Sequence, residues 1–589
     1  MQGHIYLRHS DLFGQRPHLA TLKKKLRQFK LSDVIFTLSR INVLLGRQRM
    51  LRDGSESQRR LEEVLRANYI APDLLKALDE RPIFFRQSIL NLLRLCVLLG
   101  REEALVMTKG KTPGGYELGR CCLMMNDHLV SPKEERRAGE GTDIKQRRHI
   151  GLQMAPMIEL YNPPRLEQAV VRAEIIFSEI LNSQEMKAHA MQELKGFDIA
   201  SGFLGATGLS LDIYREMIIS VISSLLARTY EELLENPNLF MFRRYDFLKG
   251  SLVNQKEFNR YLSLDCISLH EAKALFNQTD RKLLKQFDYV KFRSRPQLEL
   301  EGDMIVCADL CFLVEKLSSG IYWTIVDSLK GKDRGKALQG FGYLFEIYVN
   351  QLLQQISASD GAFIPSPRYQ TREPSFDGML LRGNHLIALE YKGGFMKIEA
   401  KYGGRVRAFE KDLDAKFGAN EGVVQLAKHI ERLFRQPLSD RDQIEELNRV
   451  LQNSHSKIEK ITPVLVVRES FLRFSAIEEM LSLRFVRLLA CKNVSRGVEV
   501  APLAVIDIDT LEEMMANLVE GDFTLEQCLN ARALRDPGYR WTWYDFLLEY
   551  FPQFRKRKDD ELNNRFGAIM DRGTRNLFGN ATTGKDAHS

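Results

Sequence analysis

The chain has 589 residues, 44% hydrophobic and 28% charged, a globular composition long enough for two to four cores of roughly 150 residues each. Its net charge of +8, from 85 Lys and Arg against 77 Asp and Glu, tolerates a polyanionic partner without demanding one. Eight cysteines in so long a chain exclude a disulfide framework, and without CxxC or HExxH spacing they read as buried thiols rather than zinc ligands.

The first residues, MQGHIYLRHSDLFGQRPH, lack the basic-then-apolar pattern of a secretory signal. The longest apolar runs, such as 217–227, fall short of the roughly 20 residues that a membrane helix needs. A cytoplasmic protein without a membrane segment is the expectation. From about residue 19 to 290, apolar residues recur at three- and four-residue spacing in 61–67, 74–78, 88–99, 166–181 and 217–234. That period predicts a mainly α-helical region over 1–290, in which extended stretches are scarce. Two turn-rich, charged segments, 108–119 and 132–149, predict exposed loops. The first holds Gly110-Lys111-Thr112, the ending of a phosphate-binding loop, but the glycine such a loop needs five residues before Gly110 is Leu105.

The character shifts around 292–301. A helical connector over 291–330 contains the apolar stretch 310–329, and GKDRGKALQG follows as a link. From 331 to 520 helices and strands alternate: a helix at 341–356, short strands at 362–369 and 375–381, and the strand HLIALEYK at His385–Lys392. A helix at 422–434, apolar strands at 461–467 and 498–508, and a helix at 511–518 complete the pattern. Such alternation predicts a mixed α/β sheet covered on both faces. Residues 521–589 predict a helical extension, with Trp541 and Trp543 in a packing segment, and a frayed tail.

The strand HLIALEYK poses the chemical question. Alternate side chains of a strand share a face, so Leu386, Ala388, Glu390 and Lys392 point one way. Asp377, in EPSFDG, stands on the preceding strand, one hairpin away. If the two strands pair, Asp377 and Glu390 approach each other at one end of the sheet. Buried carboxylates repel unless a cation lies between them, and magnesium characteristically takes one or two carboxylates. An ammonium beside them, Lys392, can orient or deprotonate a water, or stabilise charge that develops on a phosphorane.

Pro374 and Asp377 followed by Glu390-Tyr391-Lys392 on an apolar strand resemble the PD-(D/E)XK nuclease superfamily, with the restriction-endonuclease-like fold, over about 341–518. Here the proline lies three residues before the aspartate. The resemblance implies a Mg2+-dependent phosphodiesterase, with Mn2+ as a substitute, acting on DNA as an endonuclease of bacterial restriction or anti-phage defence. It implies Asp377, Glu390 and Glu346 as metal ligands, with Lys392 and Gln425 completing the catalytic set. Glu346 stands on the apolar helix before the sheet, and Gln425 and Lys428 on the helix after the lysine strand. Glu399-Ala400-Lys401 repeats the acid-x-lysine spacing on a poorer strand. Lys397, Lys401, Arg405, Arg407 and Lys428 are therefore read as contacts to a phosphate backbone. The helical region is expected to serve recognition, regulation or assembly, through a partner protein or a second copy of the chain. A non-catalytic scaffold that inherited the fold, or an RNA nuclease, remains an alternative.

Overall fold

The structure, a computed structural model, describes residues 6–51, 55–75, 81–99, 111–129, 159–160, 162–244, 253–279, 289–356, 361–369, 373–402, 406–418, 421–433, 458–492, 497–534, 542–555 and 559–578. The expected loop at 132–149, the beginning of that at 108–119, Arg405, Trp541 and the tail beyond 578 lie outside these residues. Among the described residues no helix is long and apolar enough to cross a membrane. All eight cysteines are free thiols, and Cys491 alone among them is exposed.

The architecture is mainly helical with two mixed sheets. Helices Ser55–Tyr69, Arg86–Leu99, Leu166–Glu174 and Leu211–Leu226 stand where apolar spacing placed helical segments. The stretch 217–234 is two helices, because the Thr229 hydroxyl and the Glu232 carboxylate form a capping box that starts Tyr230–Glu235 afresh. Residues 115–119, expected in a loop, open the helix Gly115–Asn126. Gly115 and Gly119 lie one turn apart, and a Cβ on either would sit 2.2 or 1.9 Å from the backbone oxygen of Asn68 or Tyr69. These glycines serve close helix packing rather than a turn.

The helical half also holds a small sheet that the sequence reading does not contain. It consists of β1 (Met241–Arg243), β2 (Cys266–Ser268), β3 (Gln297–Glu299) and β4 (Met304–Cys307), in the order β1-β4-β3-β2. Strands of three or four residues are too short to display an alternating pattern.

The second sheet runs in the order β10-β8-β7-β6-β5, with β9 also paired to β8. Its strands are β5 (Ala362–Pro365), β6 (Gly378–Arg382), β7 (His385–Lys392), β8 (Lys460–Val467), β9 (Glu499–Val500) and β10 (Ala504–Asp507). β7, β8 and β10 are mutually parallel, whereas β5–β6 and β6–β7 are antiparallel. The strand expected over 498–508 is broken into β9 and β10 around Pro502, which has no N–H to donate to a ladder. The helix expected from 341 starts ten residues earlier, as Gly331–Leu353, because its first turns run on into the buried contacts of Ala337 and Gly340.

Two apolar cores flank this sheet. On one face Ile387, Leu389 and Tyr391 join a core continuous with the N-terminal helices. On the other, Leu386 and Ala388 pack with helices Val423–Leu433 and Ser475–Ala490. A central parallel strand buried on both faces needs an unbroken apolar run, and Leu386–Leu389 supplies it.

Candidate active site

Residues His385–Tyr391 of β7 are buried and only Lys392, at the strand end, is partly open to solvent. β6 runs antiparallel to β7 with Gly378 opposite Leu389. One step further, Asp377 lies across from Glu390. Two hydrogen bonds fix it there: the Asp377 N–H donates to the Leu389 carbonyl at 3.1 Å, and the Tyr391 N–H donates to Asp377 Oδ2 at 2.7 Å. Gly378 makes the approach feasible, since a Cβ at that position would meet the Tyr391 hydroxyl oxygen at 2.2 Å.

That hydroxyl donates to Asn350 Oδ1 at 3.1 Å and so ties β7 to the helix Gly331–Leu353. One turn earlier on the helix, Glu346 Oε1 accepts from the Ser366 hydroxyl at 2.6 Å. The Ser366 N–H donates to the Asp377 carbonyl at 2.9 Å, so one serine joins the helix acid to the backbone of the strand acid. Ser366 holds φ at 41°, a left-handed conformation uncommon for a residue with a side chain. Sequence reasoning did not include Ser366, Asn350 or the Tyr391 hydroxyl. The prolines on either side of Ser366 are the only local signal of a special backbone.

Three carboxyl groups share this neighbourhood, and each has its proton affinity raised. Burial, then the nearby Asp377, pushes Glu390 up to about 8, against the pull of Lys392. Burial and Asp377 push Glu346 up to about 7. Burial also raises Asp377, opposed by Lys392 and the Tyr391 N–H. Lys392 Nζ meets Glu390 Oε1 at 2.9 Å, and although burial opposes its charge, Glu390 and Asp377 raise its pKa. The other Glu390 oxygen, Oε2, is buried with no hydrogen-bond partner among the described residues. Buried acids with an unmet oxygen are the donor set that a hard divalent cation, or a proton, satisfies. Among the described residues no three His, Cys, Asp or Glu side chains converge into a ready-made cage. Asp377 and Glu390 form the pair, and Glu346 stands beside it.

The remaining expected site residues divide. Gln425 lies on the helix Val423–Leu433 packed over β7, but its Oε1 accepts from the Gly422 N–H at 2.8 Å and caps that helix. Lys397, Arg407 and Lys428 are exposed. Lys401 is not a surface contact: its ammonium is buried against Glu469 at 3.0 Å and Glu159 at 3.6 Å. The reason is local. Glu399-Ala400-Lys401 forms the short helix Ile398–Tyr402 rather than a strand, so the acid and the lysine do not share a face. Glu399 is exposed while Lys401 turns inward, and the rival triplet is not a second carboxylate–lysine site. Compared with family models, curated proteins and solved structures, the chain matches none.

Proposed function

We propose that the chain is a magnesium-dependent nuclease that hydrolyses phosphodiester bonds of DNA on a restriction-endonuclease-like core over 331–520. The order of elements supports this reading: a helix, the antiparallel strands β5, β6 and β7, three helices among the described residues, and β8 returning parallel to β7. The observation that carries it is Asp377 facing Glu390 across β6 and β7, with one glutamate oxygen unmet and Lys392 alongside.

In this reading Asp377 and Glu390 would hold magnesium, or manganese in its place, with Glu346 beside them. Bound there, the cation would neutralise phosphate charge and polarise the scissile group. Lys392 positions the attacking water and faces the charge that develops on the phosphoryl oxygens, where a preorganised ammonium is most effective. Ser366 and the Tyr391 N–H keep the acids from turning away from one another. Arg407 and Lys428 contribute sequence-independent contacts to the DNA backbone.

The test is a cleavage panel of supercoiled plasmid, linear duplex, single strands and RNA, in magnesium, in manganese and in excess EDTA. DNA cleavage should appear with either metal, vanish in EDTA and be indifferent to ATP. Undiminished cleavage in EDTA would refute the metal site, and a preference for RNA would reassign the substrate. The Lys392–Glu390 ion pair favours a second reading, in which the pair is structural and the protein binds nucleic acid without cutting it. Binding with no cleavage in either metal would establish that.

A further inference from the structure

Away from the carboxyl cluster, the N-terminal half and the second sheet enclose a cavity of about 590 Å3. It lies beyond the carboxyl ends of the parallel strands: Phe395 and Lys397 follow β7, Arg468 follows β8 and Asp509 follows β10. Trp323 lines it from the helical side, and none of Glu346, Asp377, Glu390 or Lys392 does. Its size is that of small-molecule sites, and the carboxyl ends of parallel strands are where α/β sheets hold ligands.

Most charges in its wall are neutralised within the protein. Arg172, Arg293, Lys316 and Lys401 each have a carboxylate oxygen at 2.8 to 3.0 Å. Arg468 does not. It is 5% exposed and stacked over Phe395, 5.0 Å from the ring centroid, and its Nε, Nη1 and Nη2 have no hydrogen-bond partner among the described residues. A guanidinium carries five donors, and burying them unmet is costly unless an anion completes the site. Burial, together with nearby Arg172, pulls its pKa down to about 9, the mark of a cation lacking its counter-charge. Lys397, exposed and lining the same cavity, adds a second positive charge with no carboxylate partner among the described residues.

We propose that this cavity binds a phosphate-bearing small molecule of nucleotide size, its phosphate on Arg468 and Lys397 and its ring beside Trp323. The planar fork of a guanidinium matches two phosphate oxygens, and Arg468 and Lys397 together outweigh Glu399, an exposed carboxylate in the same wall. The backbone N–H of Arg468 donates to the Lys392 carbonyl at 3.0 Å, which ties the residue after β8 to the end of β7. Binding stands independently of the nuclease reading.

The test is thermal shift and calorimetry on the full chain, with ADP, inorganic pyrophosphate, citrate and a single-stranded oligonucleotide as probes. ADP and pyrophosphate should raise the melting temperature of the wild type. Arg468→Met should weaken both at least tenfold while melting no lower than wild type without ligand, because it removes an unmet buried charge. Lys397→Ala, at an exposed position, should weaken both several-fold and serves alone should Arg468→Met fail to fold. ADP binding tighter than pyrophosphate assigns a share to the ring; equal affinity assigns recognition to the phosphates. Four results would overturn the proposal: no binding of ADP or pyrophosphate at millimolar concentration, affinity unchanged in both variants, citrate binding as well as pyrophosphate, or variant-sensitive binding of the oligonucleotide alone.

Discussion

Glu390 carries two tensions at once, a buried charge and an unmet oxygen. Its folded-state pKa, near 8, lies above the ordinary carboxyl value of 4.5. The protonated form is therefore favoured by folding, and the stability it contributes is full below about 4.5 and lost as pH rises through 8. Without divalent metal, Glu390→Gln should melt above wild type at pH 9, and the gap should shrink toward pH 5. Magnesium should stabilise the wild type and leave Glu390→Gln unmoved. Equal magnesium shifts in both proteins would mean that the ion binds elsewhere. In a plasmid-nicking series, Asp377→Ala, Glu390→Ala and Lys392→Ala should each lose on the order of a hundredfold or more in rate. Duplex binding should survive Lys392→Ala within a few-fold. Glu399→Ala should cleave as the wild type does, since Glu399 is exposed on a short helix. A dead Glu399→Ala beside an active Glu390→Ala would move the metal and the chemistry from Glu390 to Glu399.

Among the elements, the hairpin β6–β7 decides whether Asp377 and Glu390 face each other. The hydroxyl of Tyr391 occupies the space where a side chain at Gly378 would begin. Gly378→Ala must push that ring off Asn350 or open the strand pair. An overpacking cost of about 1–3 kcal/mol is expected from urea unfolding. Tyr391→Phe in the same chain should recover part of it, because the contact at 2.2 Å is to the hydroxyl oxygen and the ring carbon behind it lies at 3.2 Å. No recovery would move the strain to the Phe363 ring, 3.1 Å from the added Cβ, or to the backbone. This hairpin was legible in the sequence because Leu386–Leu389 is an unbroken apolar run and its partner ends one short turn away. The approach of Asp377 to Glu390 was expected from the short hairpin that joins their strands, and the register of β6 on β7 sets it. Ser366 and the small sheet β1–β4 were not legible. A hydrogen bond across a helix–loop contact leaves no period, and three-residue strands have none to show. Lys401 was misplaced for a related reason: acid-x-lysine fixes no secondary structure, and a helix turns the two side chains apart.

At the scale of the whole molecule, the N-terminal half and the second sheet share a continuous apolar core and a chain of buried charges. Glu159, from the N-terminal half, meets Arg293 at 3.0 Å and Lys401 at 3.6 Å and accepts from the Tyr402 hydroxyl, while Lys401 also holds Glu469 at 3.0 Å. Burial alone would raise the Glu159 pKa, but Arg293 and Lys401 outweigh it and hold the carboxyl down to about 2. A carboxyl so depressed contributes stability above its ordinary 4.5, and that stability is lost as pH falls toward 2. Lys401→Met leaves two buried carboxylates sharing too little positive charge. Removing one member of a buried ion pair typically costs about 3–5 kcal/mol. Urea unfolding of Lys401→Met should show a loss of that order. Its acid unfolding should begin at higher pH than in the wild type, since Glu159 now protonates more readily. Adding Glu469→Gln to Lys401→Met should restore part of the stability at pH 7, because Glu469 loses its ion pair with Lys401 whereas Glu159 keeps Arg293. If Lys401→Met instead unfolds like the wild type and only weakens binding to duplex DNA, Lys401 belongs on the nucleic-acid surface and the two halves are joined by apolar packing alone.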